Sequence, residues 1–292
     1  MLKKTIILLL CLFSTIAFAI SSQPIHKGFT KFENMAYKSK QQNLAYLMQA
    51  LRLLNPYPRN SISWNVWHEQ TQINVPILIL SSFEINEYCK KTQMRSMLFS
   101  ARGCCHLIKI FSKLFPKYDS TYFHASRIVY RNPTPEYLEY VQSLYSPTSL
   151  IVDEHGAGIS CCGFFLQQFG LLPNYFTLAR YCGRLPCISH HLTAQLEALN
   201  YDLVGVMISF NKYGPVRTQP EYPLEHVVPA HKCIEKCLEL MNYRTFTQAD
   251  RKLVLYFYSQ LKKYQPVLWK YHVKNHDKPP KKKKSRPIKR KR

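Results

Sequence analysis

Acidic side chains are scarce in this sequence of 292 residues, where 17 Asp and Glu stand against 40 Lys and Arg and the formal net charge is +23 at neutral pH. That imbalance excludes an acidic surface and favours anionic partners, whether nucleic acid, phosphorylated ligands or an anionic membrane. No apolar run approaches the roughly 20 residues that a membrane-crossing helix needs. The tight Cys-x-x-Cys of a structural zinc site does not occur. Neither an internal repeat nor a recognised nucleic-acid module is present, so DNA binding by a folded reader is less favoured than binding of a protein. What the chain does have is an apolar fraction of 46%, with 20 Tyr, 16 Phe and 3 Trp, enough to fill the core of a globular body.

The two ends carry opposed addresses. Lys3 and Lys4, the apolar run Ile6 to Phe13 and then Ala17-Phe18-Ala19 read as a secretory signal cleaved after Ala19. Residues 278–292 hold ten Lys or Arg and no acid. Within them Lys281, Lys282, Lys283 and Lys284, then Arg286, then Lys289, Arg290, Lys291 and Arg292 form two basic clusters around a short spacer, the pattern of a nuclear import signal. Pro279, Pro280 and Pro287 exclude a helix, and repulsion between like charges predicts a disordered, extended tail. A solvated tail, or an arm that holds phosphates by charge alone, is the alternative.

Together these ends resemble the nuclear-targeted effectors of intracellular bacterial pathogens. The resemblance implies secretion from a bacterium, entry into a host nucleus, and action on nuclear machinery such as that of transcription. Its implied partners are a nuclear import receptor and a host nuclear protein, with nucleic acid contacted through the tail. After signal cleavage it implies no integral membrane association.

Between the ends, residues 20–40 are polar and turn-rich. Leu44, Leu47, Met48, Leu51 and Leu54 recur at helical spacing and stop before Pro56. Buried strands are expected at Val75 to Ser81, Met97 to Ser100, Ser149 to Val152 and Leu203 to Phe210, with helices from about Cys104 to Leu114 and from Cys161 to Phe169. A closing helix is expected from Thr247, with Asp250 in the capping-box position and Leu253, Phe257 and Leu261 on one stripe. Strands buried on both faces and alternating with helices predict an α/β fold with a mostly parallel sheet flanked by helices. The organisation expected is a signal over 1–19, a single α/β domain over 20–270, and a basic tail over 271–292.

The segment Ile151 to Ser160, read Ile-Val-Asp-Glu-His-Gly-Ala-Gly-Ile-Ser, places acids at the carboxyl end of a strand and glycines before a helix, where open α/β sheets bind ligands. Asp153 is the candidate nucleophile, metal ligand or ribose contact, with Arg127 and His155 as catalytic partners. Gly156, Gly158, Ser160, Arg102 and Lys212 are the candidate ligand-binding residues. The alternative is a tight turn in which Asp153 caps the helix and the glycines serve geometry alone. Lys212 joins the rim only if the strand Leu203 to Phe210 runs parallel to that of Asp153.

Phosphoribosyltransferases have a similar strand, acid pair and glycine loop, but Asp153 to Ser160 is one residue shorter. Phe99-Ser100-Ala101-Arg102, then Ser126-Arg127, then Asp153 to Gly158 resemble in order a branch of the haloacid dehalogenase-like proteins often found beside sugar-transfer enzymes. That resemblance spans about residues 75–215. It implies a phosphohydrolase or phosphotransferase acting on a phosphorylated or nucleotide-sugar substrate, with Mg²⁺ as cofactor. Gly103 stands where that pattern has Asp, which argues for a degenerate enzyme that survives as a binding scaffold.

Nine cysteines follow the signal, an odd number that leaves at least one thiol unpaired within the chain. Cys182, Cys187, His190 and His191 form one cluster, and His231, Cys233 and Cys237 another. Neither has the spacing that assigns a metal, and a Cys182–Cys187 disulfide or simple burial is the alternative. Cys104 or Cys105 beside His106 is a candidate nucleophile pair, though sequence neighbours seldom act so.

Overall fold

A computed structural model describes residues 28–180, 190–220 and 222–270. The expected signal and basic tail, Cys182 and Cys187, and the side chains of His190 and His191 lie outside the described residues. Four parallel strands, β1 (Ser96–Ser100), β2 (Asp119–Phe123), β3 (Ser149–Gly156) and β4 (Tyr175–Arg180), form one sheet in the order β2-β1-β3-β4. Leu98 is level with Thr121 and Ile151, and Val152 with Phe176. All four strands therefore end on one edge.

Because side chains alternate along a strand, the apolar runs divide between the two faces. Met97, Phe99, Leu150 and Val152 enter one core with Leu47 of α2 (Gln42–Leu53), Ile77 of α4 (Val75–Thr92), Phe111 of α5 (Cys105–Leu114), Cys237 of α10 (Leu224–Met241) and Phe257 of α11 (Arg251–Lys263). Leu98, Ile151 and Phe123 enter a second core with Val129 of α6 (Arg127–Arg131), Tyr137 of α7 (Pro135–Leu144) and Phe165 of α8 (Ile159–Phe169). The sheet is thus covered on both faces by helices, as the unbroken apolar strands require. The expected α/β layer fold with a mostly parallel sheet is the one observed.

Several local expectations need correction. Val75 to Ser81 is the start of helix α4, not a strand. It continues from α3 (Ile62–Glu69) through a π-helical turn at Gln70–Asn74, and every residue from Val75 to Ser82 is buried. Burial on all sides leaves no polar stripe, so the run has no helical period to read. The expected strand over Leu203 to Phe210 is confined to β5 (Met207–Asn211), which pairs antiparallel with β6 (Gly214–Arg217) as a separate hairpin, while Leu203 and Val204 are exposed. The closing helix starts after Asp250, whose carboxylate accepts from the Lys252 N–H, rather than at Thr247. Within the polar stretch before residue 40 lies α1 (Lys31–Lys38), closed by a capping box of Thr30 and Glu33. None of the described cysteines, at 89, 104, 105, 161, 162, 233 and 237, is joined in a disulfide.

The helical layer is crossed by buried polar side chains, several of which pair with one another. Glu33 pairs with Arg52 at 2.7 Å and accepts from the Gln72 amide at 2.9 Å. Gln70 donates to the Leu199 carbonyl at 2.7 Å, and Asn74 exchanges amide hydrogen bonds with Asn200. Leu199 ends α9 (His190–Leu199). Glu69 accepts from the Tyr264 hydroxyl at 2.9 Å and the Val267 N–H at 2.8 Å, which fastens the last described segment to α3.

Burial raises the Glu69 carboxyl to about 7, against the lowering effect of those two hydrogen bonds. The unfolded chain releases this proton near the ordinary carboxyl value and the folded chain only near 7. Its contribution is therefore fully present at acid pH and is lost as pH rises through 7. The expected loss is on the order of 3 kcal/mol. Glu69→Gln preserves the acceptor oxygen and has no proton to lose, so urea midpoints of wild type and variant should diverge between pH 5 and 7.5, the wild type falling. Parallel curves would show that Glu69 is not a buried, protonating carboxyl.

Candidate functional site at the carboxyl edge of the sheet

The period of two along β3 sends its two acids to opposite faces. Glu154 follows Leu150 and Val152 toward the helical layer, whereas Asp153 follows Ile151 toward α6 and α8. The pair read together in the sequence is therefore two separate sites in space.

Asp153 is half-buried. It accepts from the Tyr175 hydroxyl at 2.7 Å and from the Glu154 N–H at 2.9 Å. Burial raises its carboxyl above the ordinary range, opposed by the His155 charge, the Tyr175 hydrogen bond and the more distant Arg127. It does not cap the following helix. That position belongs to Gly158, at φ 71°, where a β-carbon would come within 2.7 Å of the Tyr175 ring. Gly156, at φ 124°, makes the preceding turn, and Ser160 sits half-buried in the first turn of α8. The glycines thus serve the geometry of the turn and leave the Tyr175 phenol room to reach Asp153.

Glu154 is fully buried and accepts from the Asn200 amide through Oε1. Its Oε2 lies 3.8 Å from His155 Nδ1, close enough for charge pairing and too far for a hydrogen bond. The other ring nitrogen of His155 lies 3.3 Å from Glu197. Burial raises Glu154 to about 7, and the nearby His155 charge opposes the shift. For His155, burial disfavours the charge, but Glu154, Glu197 and Asp153 outweigh it and raise the ring to about 9. The ring is therefore held as a cation by the acidic side chains around it at neutral pH.

Gly103 explains why this arrangement fits. A β-carbon built there would lie 2.2 Å from Glu154 Oε2. The space that a side chain at 103 would occupy holds the Glu154 carboxylate.

Of the remaining candidates, Arg127 is exposed at the start of α6, whose N-cap Ser126 accepts from the Ile128 and Val129 N–H groups and donates to the Met207 carbonyl. Ser126 thereby ties the rim to the β5–β6 hairpin. Arg102 is half-buried and reaches the Tyr222 phenol. Lys212 is exposed in the hairpin turn, its Nζ 5.0 Å from the centre of the Tyr213 ring. The parallel strand that was to bring Lys212 beside Asp153 does not exist, so that placement is withdrawn. Phe99–Arg102, Ser126–Arg127 and Asp153–Gly158 do lie at the carboxyl ends of three neighbouring parallel strands or just beyond them.

Tyr175, Glu197 and Asn200 were not foreseen, because each acts across a long sequence separation and none carries a local motif. Cys233 and Cys237 are buried in the helical core, where burial pushes both thiols up. No family model matches the chain, and no curated protein matches it.

Gly103→Ala forces the new methyl group against a buried carboxylate that cannot move without leaving Asn200, so a stability loss of about 3 kcal/mol is expected. Adding Glu154→Ala makes room for that methyl. In urea unfolding the double variant should then lose less than the sum of the two single losses, by about 1 kcal/mol or more. Strict additivity would show that the glycine is not there for Glu154.

Proposed function

We propose that this chain is an exported bacterial effector which enters a host nucleus through the basic clusters at 281–292, and whose α/β body binds a nuclear partner rather than transferring phosphoryl groups. The address rests on the sequence at both ends. The preference for binding over catalysis rests on one observation: the place of a residue-103 side chain is filled by the Glu154 carboxylate, which is fully buried and held by Asn200 rather than presented at the rim. The other acids nearby are held by Tyr175, Asn200 and His155. Among the described residues no helix is long and apolar enough to cross a membrane, which fits a body that acts after release from the membrane.

A haloacid dehalogenase-like phosphohydrolase is the second reading. It is favoured by the adjacency of the three rim segments on parallel strands, with Asp153 central and Mg²⁺ supplying charge neutralisation at a transferring phosphate. Asp153 alone, with one oxygen on a tyrosine and the other on a backbone N–H, is a weak foundation for a Mg²⁺ site, which draws on carboxylates and water.

A fluorescent fusion of residues 20–292 produced in a eukaryotic cell should accumulate in the nucleus, and removal of residues 281–292 should return it to the cytoplasm. Nuclear accumulation of the truncated fusion would refute the tail as the address, and exclusion of the full fusion would refute the nuclear reading. Mg²⁺-dependent hydrolysis of a phosphate ester by the wild type, abolished by Asp153→Asn, would instead establish the enzyme.

A further inference from the structure

Among the described residues there is one place where three side chains of metal-ligating type converge. The ligand atoms of Cys105, His106 and His231 all lie within 4.8 Å of one another, and all three residues are buried. We propose that they form a binding site for a Zn²⁺-class ion, with a fourth coordination position open to the neighbouring cavity.

Three features carry this. His106 is fully buried in α5, and neither of its ring nitrogens has a hydrogen-bond partner. A neutral imidazole has one donor and one acceptor, and leaving both unmade in a core costs about 1–3 kcal/mol for each group. A metal ion uses the acceptor nitrogen and removes the cost of that one group. His231, on α10, is held by Nε2, 3.1 Å from the Tyr201 carbonyl. A carbonyl only accepts, so Nε2 carries the proton and Nδ1 keeps its lone pair free. A ring fixed through one nitrogen to a backbone carbonyl while the other faces the metal is the usual support for a histidine ligand. The two rings meet edge to face, 4.4 Å between centres.

Cys105 supplies the soft ligand. Its sulfur is 3.6 Å from the Asn200 carbonyl, a contact no stronger than a thiol ordinarily makes. Donors on a tetrahedron with metal bonds of about 2.0–2.3 Å lie about 3.3–3.7 Å apart, so side-chain shifts of about 1 Å close the set. Two imidazoles and one thiolate suit zinc or cobalt and exclude the oxygen-seeking Mg²⁺ of the enzyme reading.

Cys105 and His231 also line a cavity of about 400 Å³, which is walled further by Tyr122, His124, Asp202 and Arg217. The wall groups are themselves partnered: Asp202 accepts from the Tyr122 hydroxyl and the Leu203 N–H, and Arg217 donates to His124 Nδ1. The fourth position therefore faces space for water or a small ligand, not another protein donor. Three protein ligands and one open position is the arrangement of exchangeable zinc sites rather than closed structural ones. This set differs from both clusters that sequence spacing suggested, taking His231 from one and leaving Cys233 and Cys237 aside.

The purified chain, stripped with a chelator, should bind one Co²⁺ with the visible bands of a tetrahedral site and a thiolate charge-transfer band, and Zn²⁺ should displace it. Cys105→Ser should abolish the charge-transfer band. His231→Gln, which retains a donor for the Tyr201 carbonyl, should weaken Co²⁺ affinity by more than about 100-fold. The double variant Cys182→Ser and Cys187→Ser should keep the band. Should the core variants fail to fold, X-ray absorption of the zinc-loaded wild type decides the matter: one sulfur, two imidazole nitrogens and one light atom are expected. Two or more sulfurs, a band that survives Cys105→Ser, or no tetrahedral cobalt spectrum would overturn the site.

Discussion

A carboxylate buried between a sheet and a helical layer has to be matched on every side, and Glu154 sets that requirement for this fold. It projects from β3 into the helical layer, where the Asn200 amide meets one oxygen and the cationic ring of His155 lies near the other. Asn200 is in turn locked to Asn74, and Asn74 to Gln70, on the π-helical turn that joins α3 to α4. The same turn presents Gln72 to Glu33, which holds Arg52. Polar contacts thus extend, through the π-helical turn, from the first described helices to the carboxyl edge of the sheet. Removing one member leaves its neighbour unpaired at low dielectric, so the network specifies register more strongly than it adds stability.

The sheet was legible in part, because its two central strands, β1 and β3, are short apolar runs at the expected places and parallel pairing follows from their burial on both faces, whereas the flanking β2 and β4 carry no such run. Val75 to Ser81 has the same composition and a different structure. A short apolar run is equally compatible with a buried strand and with a helix buried on all sides, and only its continuity with α3, established through tertiary contacts, decides between them. The hairpin β5–β6 was misplaced for the opposite reason. Its apolar residues are few, Leu203 and Val204 face outward, and Gly205 packs so tightly that a β-carbon there would meet the Thr218 carbonyl oxygen at 1.9 Å.

At the candidate site the sequence located the edge and missed its partition. Asp153 and Glu154 are neighbours in the chain, and pattern reading joins them as one acid pair. The pleat separates them, giving Asp153 to Tyr175 on one face and Glu154 to Asn200 on the other. The absence of an acid at Gly103 was legible. Its cause was not, since it depends on where the Glu154 carboxylate goes after folding. The convergence of His231 with Cys105 and His106 was hidden likewise, because α10 and α5 approach one another only once the core has closed around them.

The shortage of acids takes on more weight when their positions are known. Glu33, Glu69, Glu154 and Asp202 are all buried. Of these, Glu33 neutralises Arg52 and Glu154 faces His155, while burial raises Glu69 to about 7. The other 13 of the 17 acids stand against 40 Lys and Arg, so the excess of positive charge remains large. The net positive charge acts before any contact is made, drawing anionic partners toward the molecule over roughly a Debye length of about 8 Å at physiological salt. Such steering raises encounter rates without selecting one anion over another. Selection has to come from shape and partnered groups at close range, and the open cavity beside Cys105 and His231 offers both, with Arg217, Lys109 and Asp202 in its wall.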